Sequence, residues 1–170
     1  MRHVISILAH NEPGVLSRIC DLFSGRGYGI DSISAGTSLS EAFARVTVET
    51  TCDERAAEQI MKQLNRLIPI LKVQEVTKDE NLIREFVLCK VHVNTKTRAE
   101  ILKIADLFKA SVLDVTGKTA VLQMSGNPTE IAAFLEFVKP LGIRELARSG
   151  KVAMCPDTSI NVNVAGEQSL

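Results

Sequence analysis

The apolar run Val4-Ile5-Ser6-Ile7-Leu8-Ala9 predicts a strand over residues 3–9. Beyond His10-Asn11-Glu12 the period changes. Val15, Leu16, Ile19, Leu22 and Phe23 recur at helical spacing and make one apolar face of a helix from Pro13 to Arg26. Gly27 follows the last turn, where a left-handed terminus is expected. Residues 30–36 and 42–51 then predict two strands joined through Ser38-Leu39-Ser40-Glu41. Thr51 or Asp53 caps a second helix that runs to about Leu67, with Ala57, Ile60, Met61, Leu64 and Leu67 inward. Pro69 stops it, and residues 70–76 form a fourth strand. The order is βαββαβ, that of a ferredoxin-like unit.

The same order then repeats. Thr77-Lys78-Asp79-Glu80-Asn81 is a polar break, after which 86–93 reads as a strand and 97–108 as a helix with Ile101, Ile104, Ala105 and Phe108 on one face. Short strands at 112–115 and 120–124 are joined through Gly117-Lys118. Asn127-Pro128 opens a further helix through Ile131, Phe134, Leu135 and Val138, and Gly142 precedes a last strand region, 143–154. The expected fold is therefore α+β: two tandem ferredoxin-like domains at 1–77 and 85–155, a linker at 78–84 and a polar tail at 156–170. Within the tail, Ile160-Asn161-Val162-Asn163-Val164 alternates like a strand.

Composition narrows the class. With 170 residues, 45% hydrophobic and 24% charged, the chain has a globular balance, and its lack of Trp makes the core aliphatic. Lys plus Arg equals Asp plus Glu, so the basic excess of a nucleic-acid binder is missing. No stretch approaches the roughly 20 apolar residues of a membrane span, nor does the N-terminus resemble a signal peptide. The reading is of a soluble, cytoplasmic chain with neither nucleic acid nor membrane as partner. Cys20, Cys52, Cys89 and Cys155 stand singly, as do His3, His10 and His92, so no metal spacing is signalled. Cys20 and Cys89 read as small core residues. Catalytic spacings are missing too: there is no strand-borne GxGxxG, P-loop, HExxH or nucleophile–His order.

One stretch invites chemistry. Pro13 suits the first turn of a helix, which leaves the N–H groups of Gly14, Val15 and Leu16 pointing out of the helix start. Such an end attracts a carboxylate by about 0.3–1 kcal/mol, more when partly buried. An ordinary capped turn between strand and helix has the same spelling, and the residues alone leave both readings open.

The strand ending in Asn11-Glu12-Pro13-Gly14-Val15-Leu16, with Phe23 to Ile33 behind it, resembles the opening of an ACT domain, a small amino-acid-binding regulatory module. The likeness extends to the regulatory (small) subunits of acetolactate synthase, also called acetohydroxyacid synthase. Ser17-Arg18, Leu22-Phe23-Ser24, Arg26-Gly27-Tyr28, Glu58-Gln59-Ile60 and Lys62 to Ile68 resemble them in the first half. In the second half the segments are Arg84-Glu85, Lys90-Val91, Ile104 to Phe108, Asp114-Val115-Thr116 and Glu145 to Gly150.

The resemblance implies a non-catalytic subunit that raises the activity of a separate large subunit and transmits feedback inhibition by a branched-chain amino acid, most often valine. Thiamine diphosphate, magnesium and FAD belong to that catalytic partner, with no cofactor in this chain. Small units and uncovered sheet edges favour oligomerisation, and the ACT likeness implies a side-by-side homodimer with the effector at its interface. The implied site takes the effector carboxylate on Gly14, Val15 and Leu16 behind Pro13, helped by Asn11. Its ammonium meets the backbone around Gly29 and Ile30, with Asp31 as a further candidate; Leu16, Ile30 and Ile33 could line the side-chain slot. The family usually carries Asn where this chain has Gly29, and loss of such an amide typically removes about 0.5–1.5 kcal/mol. Two rivals stand beside this reading: a free-standing sensor with two ACT domains that regulates another protein, and a stand-alone enzyme. The second-half motifs oppose the first rival, and the missing catalytic spacings oppose the second.

Overall fold

The computed structural model describes residues 1–77 and 82–156. In the first half the elements are β1 (Arg2–His10), α1 (Val15–Ser24), β2 (Ser32–Thr37), β3 (Phe43–Thr51), α2 (Glu54–Leu64) and β4 (Ile70–Glu75). The second half holds β5 (Leu82–His92), α3 (Arg98–Phe108), β6 (Ser111–Val115), β7 (Thr119–Gly126), α4 (Pro128–Val138) and β8 (Ile143–Met154). Each half is a four-stranded sheet, ordered β2-β3-β1-β4 and β6-β7-β5-β8, so both are ferredoxin-like βαββαβ units as expected. Contacts divide the chain into two compact units, one of Met1–Leu82 with the segment beginning at Ala153, the other of Ile83–Val152. Strand β5 begins at Leu82, inside the span 78–84 read as a linker. Residues 78–81, and the strand-like alternation at 160–164, lie outside the described residues.

Burial explains the helical periodicities. Val15, Ile19 and Phe23 of α1 and Ala57, Ile60 and Leu64 of α2 pack onto Ile5, Ile7, Val46 and Val48 of the sheet. The second unit repeats the arrangement with Ile101, Ile104, Ile131, Phe134 and Val138 over Val87, Cys89, Val91 and Leu122. Cys89 is fully buried as expected, whereas Cys20 is only half-buried.

Helix ends show where local chemistry prevailed. Asp53, rather than Thr51, caps α2, accepting from the Ala56 N–H at 2.7 Å. That helix closes at Leu64, short of the expected Leu67, and a series of turns carries the chain to Pro69. Asn127 and Glu130 cap α4 reciprocally, each side chain bonding the other's backbone N–H at 2.8 Å. Gly27 does adopt the left-handed conformation (φ 72°), and the Tyr28 N–H reaches the Phe23 carbonyl at 2.9 Å across it, the bond pattern of a Schellman terminus.

The opening of α1 differs from the expected one. Pro13 is not in the first helical turn. It precedes Gly14, which is the N-cap in a left-handed conformation (φ 87°), and the helix begins at Val15. A proline followed by a left-handed glycine makes a tight turn, and that turn sets the helix start one to two residues later than periodicity implies.

Candidate functional site

Where β1 gives way to α1, the turn leaves a cleft of about 300 Å³ between the helix start and the edge strand β2. Asn11, Glu12, Gly14, Val15, Leu16 and Ser17 form one wall; Ala35, Gly36, Thr37 and Ala44 form the other. The size is at the lower end of the ~300–1,000 Å³ usual for small-molecule sites. No side chain caps α1, and the first N–H to bond back along the helix is that of Arg18, to the Gly14 carbonyl at 3.0 Å. Leu16 and Ser17 therefore present N–H groups that the helix does not use. The helix dipole adds to their attraction for an anion.

The structure redistributes the expected donors. Val15 N–H is turned back onto the Glu12 carbonyl at 3.3 Å, so its place beside Gly14 and Leu16 passes to Ser17. Asn11 lines the cleft, and its Nδ2 donates to the Glu41 carbonyl at 2.8 Å. Glu12 accepts from Arg18 Nη1 at 3.3 Å, which draws that carboxylate along the helix. Pro13 shapes the turn without lining the cleft.

Gly29 and Ile30 do not line it either. The Gly29 carbonyl accepts from Thr50 Oγ1 at 2.6 Å, and Ile30 packs, half-buried, against the core of the first unit. Asp31 accepts from Thr51 Oγ1 at 2.6 Å. His10 packs its ring on Phe43 with centroids 5.5 Å apart instead of entering the cleft. Within one chain, then, the cleft unites Asn11, Gly14, Val15 and Leu16 of the expected set.

Sequence reasoning missed the far wall. Ala35, Gly36 and Thr37 come to α1 through the register of β2 on β3, in which Ala35 opposes Val46, Gly36 opposes Arg45 and Thr37 opposes Ala44. The one local signal was their small size. A Cβ built on Gly36 meets nothing within 4 Å, so the room there is not forced by packing.

At the matching turn of the second unit α3 also begins without a side-chain cap, and the bonds fall just before the helix. Asn94 Oδ1 accepts from the N–H groups of Lys96 and Thr97, both at 2.9 Å, as the chain turns into α3. Among the described residues, no cluster of His, Cys, Asp or Glu could hold a metal ion, and no helix is long and apolar enough to cross a membrane.

Comparison with known proteins points one way. The family model of the small subunit of acetolactate synthase matches residues 84–156, and that of the AHAS small subunit-like ACT domain matches residues 5–72. A probable acetolactate synthase small subunit of Archaeoglobus fulgidus is 38% identical over 154 residues, spanning 91% of this chain and 96% of its own length. The acetolactate synthase small subunit of Aquifex aeolicus is 40% identical over 160 residues, 94% of this chain and 83% of that one. Among solved structures, the acetolactate synthase small subunit from Thermotoga maritima is similar at a TM-score of 0.84 and 30% identity, covering 94% of this chain and 99% of that one.

Proposed function

Because the chain belongs to the family of acetolactate synthase small subunits, we propose that it raises the activity of a separate catalytic subunit and lowers it again when a branched-chain amino acid, valine first, fills the cleft at the start of α1. The observation that carries this reading is the uncapped helix start at Gly14 facing small residues of β2 across a cleft of about 300 Å³.

The chemistry of a free amino acid fits these groups. Its carboxylate takes the N–H groups of Gly14, Leu16 and Ser17, supported by the helix dipole. The aliphatic side chain lies along Val15, Leu16 and Ala35. Its ammonium needs oxygens, which a side-by-side homodimer supplies from the neighbouring copy's Gly29–Ile30 backbone. The Gly29 carbonyl gives one lone pair to Thr50 and keeps the second. One methylene changes affinity by only about 1–3 kcal/mol, so leucine and isoleucine act at higher concentrations than valine. Thiamine diphosphate, magnesium and FAD stay with the catalytic subunit, which performs all the covalent chemistry on pyruvate.

The test is reconstitution. Adding this chain to its cognate catalytic subunit raises the rate of acetolactate formation, and valine then reverses the increase. A rate unchanged by the chain overturns the proposal and returns the rival reading, an amino acid sensor serving another protein.

A further inference from the structure

Two successive threonines of β3 turn their hydroxyls to one segment. Thr50 Oγ1 donates to the Gly29 carbonyl and Thr51 Oγ1 to Asp31 Oδ2, both at 2.6 Å. Neighbouring side chains of a strand leave opposite faces, so the segment 29–31 is held from two sides. The backbone joins in: the Asp31 N–H reaches the Glu49 carbonyl at 2.8 Å, and the Tyr28 N–H reaches the Phe23 carbonyl at 2.9 Å. Tyr28 and Ile30 both pack, half-buried, against the core of the first unit. Gly29 stands exposed between these two anchored residues.

The two hydroxyls are not equivalent. Thr51 is exposed, and water can replace its partner. Thr50 is completely buried, so its hydroxyl has no water to turn to, and leaving that bond unmade costs the full desolvation of the group. It is therefore committed to the Gly29 carbonyl. That carbonyl belongs to a planar peptide unit, which turns as a whole about the dihedrals on either side of it. The Thr50 hydroxyl stops this turning and leaves the oxygen its second lone pair. A Cβ built on Gly29 meets nothing within 4 Å, so the space outside this residue is open.

Resting on the dimeric effector site proposed above, we propose that Thr50 is a positioning residue for the effector's ammonium: it holds the Gly29 carbonyl of its own chain in the direction that serves the neighbouring copy's cleft. Thr50 itself, fully buried, touches no effector. An ammonium has three N–H donors, and its charge-assisted bonds are roughly twice as strong as neutral ones. That strength is realised in full only by an oxygen already in place, because ordering a group on binding takes free energy from the contact it makes. Gly29 has no side chain to offer, so its carbonyl is what this position contributes. A ligand without an ammonium gains nothing from the arrangement, which ties Thr50 to the discrimination of amino acids from plain carboxylic acids.

The full chain is titrated calorimetrically with valine and with 3-methylbutanoate, which is valine without its ammonium. Thr50→Val keeps the shape and removes the hydroxyl. It should bind valine about fivefold more weakly than the parent, with 3-methylbutanoate within about twofold. Thr50→Ser keeps the hydroxyl and should keep the parent's preference for valine. Should Thr50→Val fail to fold, Thr50→Cys, a weaker donor in the same space, carries the same comparison. A mixed dimer of Thr50→Val with Gly14→Asp joins one unaltered helix start to one unaltered Gly29 segment, and should recover the parent's valine affinity at one site per dimer. Unchanged valine affinity in Thr50→Val, or equal weakening for both ligands, overturns the positioning role and leaves a bond that serves the fold alone. A mixed dimer without a recovered site overturns it as well. A parent chain that binds no valine, or sediments as a monomer, overturns the effector site itself and this proposal with it.

Discussion

Arg148 reaches across from β8 to Glu85 on β5, with Nε 2.5 Å from Oε1 and Nη2 2.8 Å from Oε2. The Glu85 side chain is only 3% exposed while that of Arg148 is half in water, so the buried carboxylate draws its pairing from a partly solvated guanidinium. Removing the guanidinium strands a buried carboxylate. Arg148→Ala is expected to destabilise the second unit by about 3 kcal/mol, the low end for a broken buried pair because Arg148 is partly solvated. The double change Glu85→Met with Arg148→Met should recover most of it. Urea unfolding of the three proteins measures both effects.

Gly14 separates affinity from stability. Its φ of 87° is one that residues with a side chain enter at about 1–2 kcal/mol, yet a Cβ there would meet nothing within 4 Å. Gly14→Asn and Gly14→Asp therefore carry similar backbone strain, and only the second puts a negative charge at the helix start. Calorimetric titration with valine should show binding weakened by about tenfold or more in Asp than in Asn. Equal affinities would mean that the effector carboxylate does not sit at this helix start.

The cap of α2 is a purely local contribution. Asp53 accepts from the Ala56 N–H and is far from the cleft lining. Asp53→Ala should lower stability by about 1 kcal/mol and leave valine binding unchanged. A thermal melt and a calorimetric titration of the same sample decide it.

Cys89 makes stability depend on alkaline pH. Burial among Val87, Val91 and Leu122 pushes its thiol from 9.0 up to about 11. The folded chain thus keeps this proton where the unfolded chain releases it. That stability is fully present below pH 9 and is lost as the pH rises towards 11. Cys89→Ala lowers stability at every pH but should flatten this part of the profile relative to the parent. In the native parent, Cys89 should resist alkylation by iodoacetamide until the chain unfolds.

Much of the molecule was legible locally. The two repeats, the inward faces of α1 to α4 apart from Leu16, which the structure leaves exposed, and the left-handed Gly27 follow from periodicity and from the conformational freedom of glycine. The start of α1 was legible as an unusual place, though not in detail. Proline is equally at home in a first helical turn and in the turn before it, and the left-handed Gly14 decided for the second. Val15 then lost its N–H to Glu12, a bond that helical spacing alone does not reveal.

What the sequence by itself determined is the pair of ferredoxin-like units and the passage from strand to helix at Asn11-Glu12-Pro13-Gly14, because both rest on residues a few positions apart; that the helix start carries no side-chain cap came from the structure. Only the tertiary structure decided what faces that helix start. Ala35, Gly36 and Thr37 reach it because β2 pairs with β3 in one register, and a shift of one residue would turn a different set of side chains to the cleft. The same holds for Asn11, whose amide looked free for a ligand and proved to hold Glu41, thirty residues along the chain. Register and long-range hydrogen bonds are properties of the packed sheet, and no local stretch of the chain contains them.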